Sequence, residues 1–164
     1  MPELANKDAC DLLDADHVAV KHLFVEYARL AMVTPDATAD REPLARRICA
    51  DLTVHAQVEE EIFYPALREV IDEPDLLDHA TEEHQQAKGL VARIEGLPQA
   101  GPEMDELVTR LVQVVEHHVK EERTKIFSKA RSAPALDLFA LAGALMARQQ
   151  ELEASTPSSP RRRG

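Results

Sequence analysis

Two long stretches of this chain lie on each other at a constant offset of 63 residues without a gap: His55 falls on His118, Glu59 on Glu122, Phe63 on Ile126, Tyr64 on Phe127 and Arg68 on Arg131. A second match pairs "DHVAVKHLF", from Asp16, with "EHQQAKGLV", from Glu83, so that His17 meets His84 and Lys21 meets Lys88. The chain therefore reads as two copies of one hairpin. Each copy brings a lone His on its first segment and His-x-x-x-Glu on its second.

The periodicity is helical from about residue 8 onward, and Pro or Gly divides it into five segments. The first carries Leu13, Val20, Leu23, Phe24, Tyr27 and Leu30 at helical spacing and stops before Pro35. The second is expected to begin near Glu42, with Pro43 in its first turn, where a missing N–H costs nothing. Pro65 predicts a kink or a change of direction late in that helix. The third follows Pro74 and ends around Gly96 and Pro98, and the fourth follows Pro102. A shorter amphipathic fifth helix carries Leu138, Leu141, Leu145 and Met146, with Ser132 as its expected N-cap. It either caps the bundle or forms a dimer seam, capping being the default.

Neither strict alternation nor Asn-Gly or Asp-Gly turns compete with this reading. Aromatics make up only 4% of the residues against 45% apolar, which suits helix packing by Leu, Val and Ala. The fold class is all-α: an up-down four-helix bundle with an additional C-terminal helix, spanning residues 1–153 as one domain. Residues 154–164 lack apolar anchors and are expected to be a disordered tail. In an up-down bundle the two lone-His helices run parallel to each other, which relates the hairpins by an approximate two-fold axis and predicts a site for two metals.

The chemistry comes from the four-residue step. Residues four apart on a helix are displaced by one turn and about 40° in azimuth, so His55 with Glu59, and His118 with Glu122, aim at one region. Carboxylates can bridge two ions while imidazoles supply terminal nitrogens, a donor set that suits iron, manganese or zinc better than copper(I). Four nitrogens and two bridging carboxylates give about eight bonds, an oxo or hydroxo bridge adds about two, and two octahedral ions offer about twelve positions. The open positions that remain suit a small ligand, whereas a structural site is normally closed. Glu-x-x-His and His-Glu-x-x-His are both absent, so a ferritin-like oxidase and a zinc protease have no support.

His17, "HAQVEEEIFYPALR", "EEHQQAK" and "HHVKEERTKIF" together resemble the hemerythrin-like, or HHE cation-binding, family over roughly residues 10–131. The resemblance implies a non-haem di-iron centre in a four-helix bundle. By position, its ligands are His17, His55, Glu59, His84, His118 and Glu122. It implies that dioxygen or nitric oxide is bound for storage or sensing. The alternative is a di-iron enzyme that removes hydrogen peroxide, or an iron-centre repair protein. Oxygen carriers of the family have a further His where this chain has Ala80, which weakens a carrier role and leaves His79, Glu60 or Tyr27 as candidate donors.

Around these residues the expectations are plainer. His22, His79 and His117 belong on the solvent side, His117 pointing about 100° away from His118. Glu60, Glu61 and Glu121 belong to an acidic surface or behind the ligands. Tyr64 and Phe127 are expected to pack at the end of the bundle, with one-electron chemistry at Tyr64 as the lesser alternative. Cys10 and Cys49 read as small buried hydrophobes. A formal charge of −11, with the only basic cluster at Arg161 to Arg163, argues against a nucleic-acid partner. With no signal-like or membrane-spanning run the protein is expected to be cytoplasmic. A monomer or homodimer is expected, and the family resemblance implies a small diatomic molecule or peroxide as its partner.

Overall fold

The computed structural model describes residues 7–155. The helices are α1 (Ala9–Val33), α2 (Thr38–Val58), α3 (Tyr64–Val70), α4 (Pro74–Glu95), α5 (Pro102–Glu121), α6 (Phe127–Arg131) and α7 (Leu138–Ser155). A single π turn, Glu59–Phe63, joins α2 to α3, and another, Glu122–Ile126, joins α5 to α6, so the seven helices make five rods. There is no strand among the described residues.

Side-chain pairs between the rods give their directions. Along α1 and α2, Asp16 meets His55 while Arg41 reaches the Thr34 carbonyl. From α1 to the α5–α6 rod the pairs are Tyr27 with Asp105, Lys21 with Glu116, Asp14 with Arg123 and Asp11 with Arg131. Between the α2–α3 rod and α4, Glu60 meets His84 and Arg68 meets Asp78. In every pair one number rises as the other falls. Neighbouring rods are therefore antiparallel, as an up-down bundle requires.

Two apolar clusters fill the interior. One, with Leu13, Phe63, Leu67, Leu77, Phe127 and Leu145, lies at the end where α1 begins. The other, with Val20, Phe24, Ile48, Ile94, Met104 and Leu111, fills the opposite half. Each wholly buried Leu contributes about 1.5–3 kcal/mol. Between the clusters, at the level of His17 and His55, lies a belt of buried His and Glu. Cys10 and Cys49 are free and fully buried, and burial pushes both thiols up to about 12. Helix α7 packs Leu138, Leu141 and Leu145 onto the first cluster, and Arg148 ties it to Glu61, so it caps the bundle end.

Three local expectations are corrected. Helix α2 starts at Thr38, which puts Pro43 in the second turn. Buried Arg41 donates to the carbonyls of Thr34 and Pro35 and so pins the preceding loop into an early start. Helix α7 is capped by Asp137, whose carboxylate accepts the Ala140 N–H at 3.0 Å, while the N–H of Ser132 closes α6. The irregularity near Pro65 is the π turn in front of it. The same turn recurs in α5–α6, where Ser128 takes the proline's place, so the repeat and not the proline carries it.

Helix α7 runs to Ser155, so residues 154 and 155 of the expected tail are helical, and the rest of it lies outside the described residues. Among the described residues no helix is long and apolar enough to cross a membrane.

Candidate metal centre

All six residues singled out by the repeat converge. His17, His55, His84 and His118 are buried, and Glu59 and Glu122 have no exposed surface at all. Donor atoms of His17, His55, Glu59 and Glu122 lie within 4.8 Å of one another, and so do those of Glu59, His84 and His118. His17 Nε2 stands 3.2 Å from His55 Nε2 and 3.0 Å from Glu122 Oε1. His84 Nε2 stands 3.1 Å from His118 Nε2 and 3.0 Å from Glu59 Oε1. The two-fold relation of the hairpins is thus realised in the side chains.

Each carboxylate opens a π turn. An α-helix would close the next backbone bond four residues on, but here Tyr64 N–H reaches back to the Glu59 carbonyl and Phe127 N–H to that of Glu122. The extra residue rotates the remainder of each rod about its axis, and such turns are frequent at functional sites. It also brings Tyr64 inward. Its hydroxyl donates to Glu122 Oε2 at 2.6 Å and lies 3.3 Å from Glu59 Oε1 and 3.4 Å from His118 Nε2.

The outer nitrogens are all engaged. Nδ1 of His17 donates to Asp14 at 3.0 Å, of His55 to Asp16 at 3.0 Å, of His84 to Glu60 at 2.7 Å and of His118 to Glu83 at 2.8 Å. Donation from Nδ1 makes Nε2 the lone-pair nitrogen of a neutral imidazole. Two pairs of such lone pairs then face each other across 3.1–3.2 Å, which is repulsive unless something positive lies between them. Glu59 Oε2 and Glu122 Oε1 are buried without a hydrogen bond, the latter despite the nearby His17 nitrogen.

This donor set fits a cation. Ligands about 2.1 Å from one ion and roughly at right angles stand about 3 Å apart, as these do. Without the cation a proton must serve. Burial works against charge on His55, but Glu59 and Asp16 outweigh it and hold that imidazole well above its ordinary pKa; His84 is raised likewise by Glu59 and Glu60. Burial also opposes the charge on Glu59, which His55 and His84 nonetheless hold well below the usual carboxylate range. Burial and the charges of Glu122 and Glu59 push the Tyr64 phenol well up, so it remains a donor. Metal and proton compete for the same place.

None of the three candidates for a further donor reaches the inner belt. His79 is half exposed and faces Glu83 and Glu121. Tyr27 donates to Asp105 in the other half of the bundle. Glu60 stands behind His84 and pairs with Lys88. Ala80 is buried in the apolar cluster that also contains the Tyr64 ring. Tyr64 is thus no mere packing residue, and only its match to Phe127, one hydroxyl short, distinguished it in the sequence. Asp16 and Glu83 were visible as the matched acidic residue before each first-segment His, without a role. His117 lies on the solvent side, as expected, although its Nδ1 meets Glu83.

A cavity of about 50 Å³ adjoins the four imidazoles, walled by Leu52, Ala56, Ala87, Val91, Val115 and Val119.

Comparison with known proteins agrees with this geometry. The chain is 30% identical over 122 residues to a DNA nickase of Nostoc sp., a match covering 74% of this chain and 33% of that protein. The chain therefore spans about a third of the length of that relative. The crystal structure of a hemerythrin HHE cation binding domain-containing protein from Mycobacterium kansasii superposes with a TM-score of 0.72 at 23% identity, covering 91% of this chain and 89% of that one. It shares the fold. Residues 8–130 match the Hemerythrin HHE cation binding domain, and with its buried His/Glu clusters at the level where a metal site is suggested, the chain belongs to that family.

Proposed function

We propose that the protein is a non-haem di-iron protein that takes up dioxygen or nitric oxide, as a store or a sensor. In this reading His17, His55, Glu59, His84, His118 and Glu122 would hold the iron. The observation that carries it is the facing of four lone-pair imidazole nitrogens and two unbonded carboxylate oxygens next to a small apolar cavity. When bound, the iron pair supplies reversible electron transfer to a small ligand. The cavity is large enough for a few water-sized groups. Its Leu, Val and Ala walls offer water few hydrogen-bond partners, and the carboxylates behind each Nδ1 fix the rings.

Metal analysis and anaerobic stopped-flow mixing test the proposal. Two irons per chain are expected, and the diferrous protein should give an absorption change with oxygen that reverses on deoxygenation. Irreversible oxidation with no oxygen-bound form would overturn it.

The Tyr64 hydroxyl favours a second reading, removal of hydrogen peroxide. A buried phenol kept protonated among the ligand carboxylates is a hydrogen-bond donor inside the cluster, able to orient Glu122 and Glu59 there. Oxygen evolution from peroxide should then require iron and be lost in His118→Ala, and equal turnover by iron-free protein would end this reading.

A further inference from the structure

A second group of donors lies outside the inner belt, on the α4–α5 pair. His79 Nε2 stands 3.3 Å from Glu83 Oε2 and 3.1 Å from Glu121 Oε1, and His117 Nδ1 stands 2.8 Å from the same Glu83 oxygen. Donor atoms of His79, Glu83 and Glu121 lie within 4.8 Å of one another. Glu121 Oε1 is itself buried and makes no hydrogen bond, although Lys125 takes the other oxygen at 3.3 Å. The Glu83 side chain is only 8% exposed, whereas those of His79 and His117 are 51% and 63% exposed, so the group is anchored inside and open outside.

Neither the fold nor the inner cluster requires it. The corresponding positions of the other hairpin are Leu12, Asp16, Val54 and Val58. Asp16 supports His55 there as Glu83 supports His118, but no outer imidazole or second carboxylate accompanies it. One hairpin thus carries three polar donors where its copy carries Leu and Val.

We propose that His79, Glu83 and Glu121 form a third, solvent-accessible site for a divalent transition-metal cation, with His117 beside it on the same Glu83 oxygen. One imidazole with two carboxylates is a borderline N/O set that suits iron(II), manganese(II), cobalt(II) or zinc. The site shares Glu83 with the inner centre: Oε1 accepts from His118 Nδ1, and Oε2 faces the outer group. A cation at Oε2 withdraws charge from the carboxylate that backs His118, so occupancy outside is felt inside.

The test is cobalt(II) binding to the full chain, followed by visible absorption and by metal analysis after gel filtration, in wild type and in the double variant His79→Ala with Glu121→Gln. Circular dichroism checks that the fold is kept. Wild type is expected to bind one cobalt more per chain than the variant, with affinity for that ion at least about tenfold lower in the variant, in line with the loss of metal-site partners. Equal stoichiometry and equal titration curves would overturn the proposal and leave these residues as solvated ion pairs. The difference of one ion holds whatever metal the inner belt takes, so this outcome is separate from that of the di-iron reading.

Discussion

Asp16 stands one residue before His17, yet its carboxylate serves the ring of His55 on the neighbouring helix, accepting from Nδ1 at 3.0 Å. Glu83, one residue before His84, does the same for His118. A residue adjacent to a His on a helix points about 100° away from it, which turns it toward the next rod in the bundle. Each hairpin is therefore stitched through its own site.

Removing that stitch should weaken the metal more than the fold. Asp16→Ala is expected to lower metal affinity about 10- to 100-fold, because His55 loses its fixed tautomer and orientation. Asp16→Asn, which keeps an acceptor oxygen, should recover part of it. Competition against a chelator measures both.

Tyr64→Phe removes the hydrogen bond to Glu122 Oε2 and the longer one to Glu59 Oε1. In metal-free protein the Glu122 carboxylate then keeps only its imidazole neighbours, a loss of about 1.5–3 kcal/mol for a bond to a charged group. Denaturant unfolding with and without metal should show the penalty shrink once a cation takes up the charge. If peroxide removal is the activity, turnover falls while metal content holds.

At the far end of the bundle Arg41 is 1% exposed and holds Asp105 through two bonds of 3.0 and 3.1 Å. Asp105→Ala leaves the guanidinium buried and uncompensated. The expected cost is about 3 kcal/mol, the low end for a broken buried pair because Asp105 is about one-third exposed. Urea unfolding reads it, and metal stoichiometry should not change.

Asp8 gives a pH signature. Partial burial would raise its carboxyl, but the Asp11 N–H and the Arg131 guanidinium outweigh this and hold it below the ordinary value. A lowered native pKa means stability that is present above the unfolded value of about 4 and lost as pH falls through the native one. Asp8→Ala should thus cost about 1 kcal/mol near neutrality, as loss of an N-cap does, and the gap from wild type should close in acid. Thermal melts at several pH values would check it.

Much of this was legible in the chain itself. The helical period, the punctuation by Pro74 and Pro102 and the repeat of His55/Glu59 in His118/Glu122 depend on local spacing, and local spacing survives into the fold. The same spacing put His117 on the solvent side of His118. The start of α2 was not legible, because buried Arg41 and its contacts to Thr34, Pro35 and Asp105 set it. Nor was the start of α7, for which the sequence offered Ser132 while Asp137 makes the cap.

Helical period and the repeat alone determined that six side chains would meet between two hairpins, since a helix fixes where residues four apart must point. Only the tertiary structure decided which groups stand behind and beside them. Asp14, Asp16, Glu60 and Glu83 reach their imidazoles mostly across helices, and the Tyr64 hydroxyl enters through a π turn, a shift of one residue that sequence periodicity does not encode. Contacts between rods depend on how the rods pack, and packing is settled by the whole core at once.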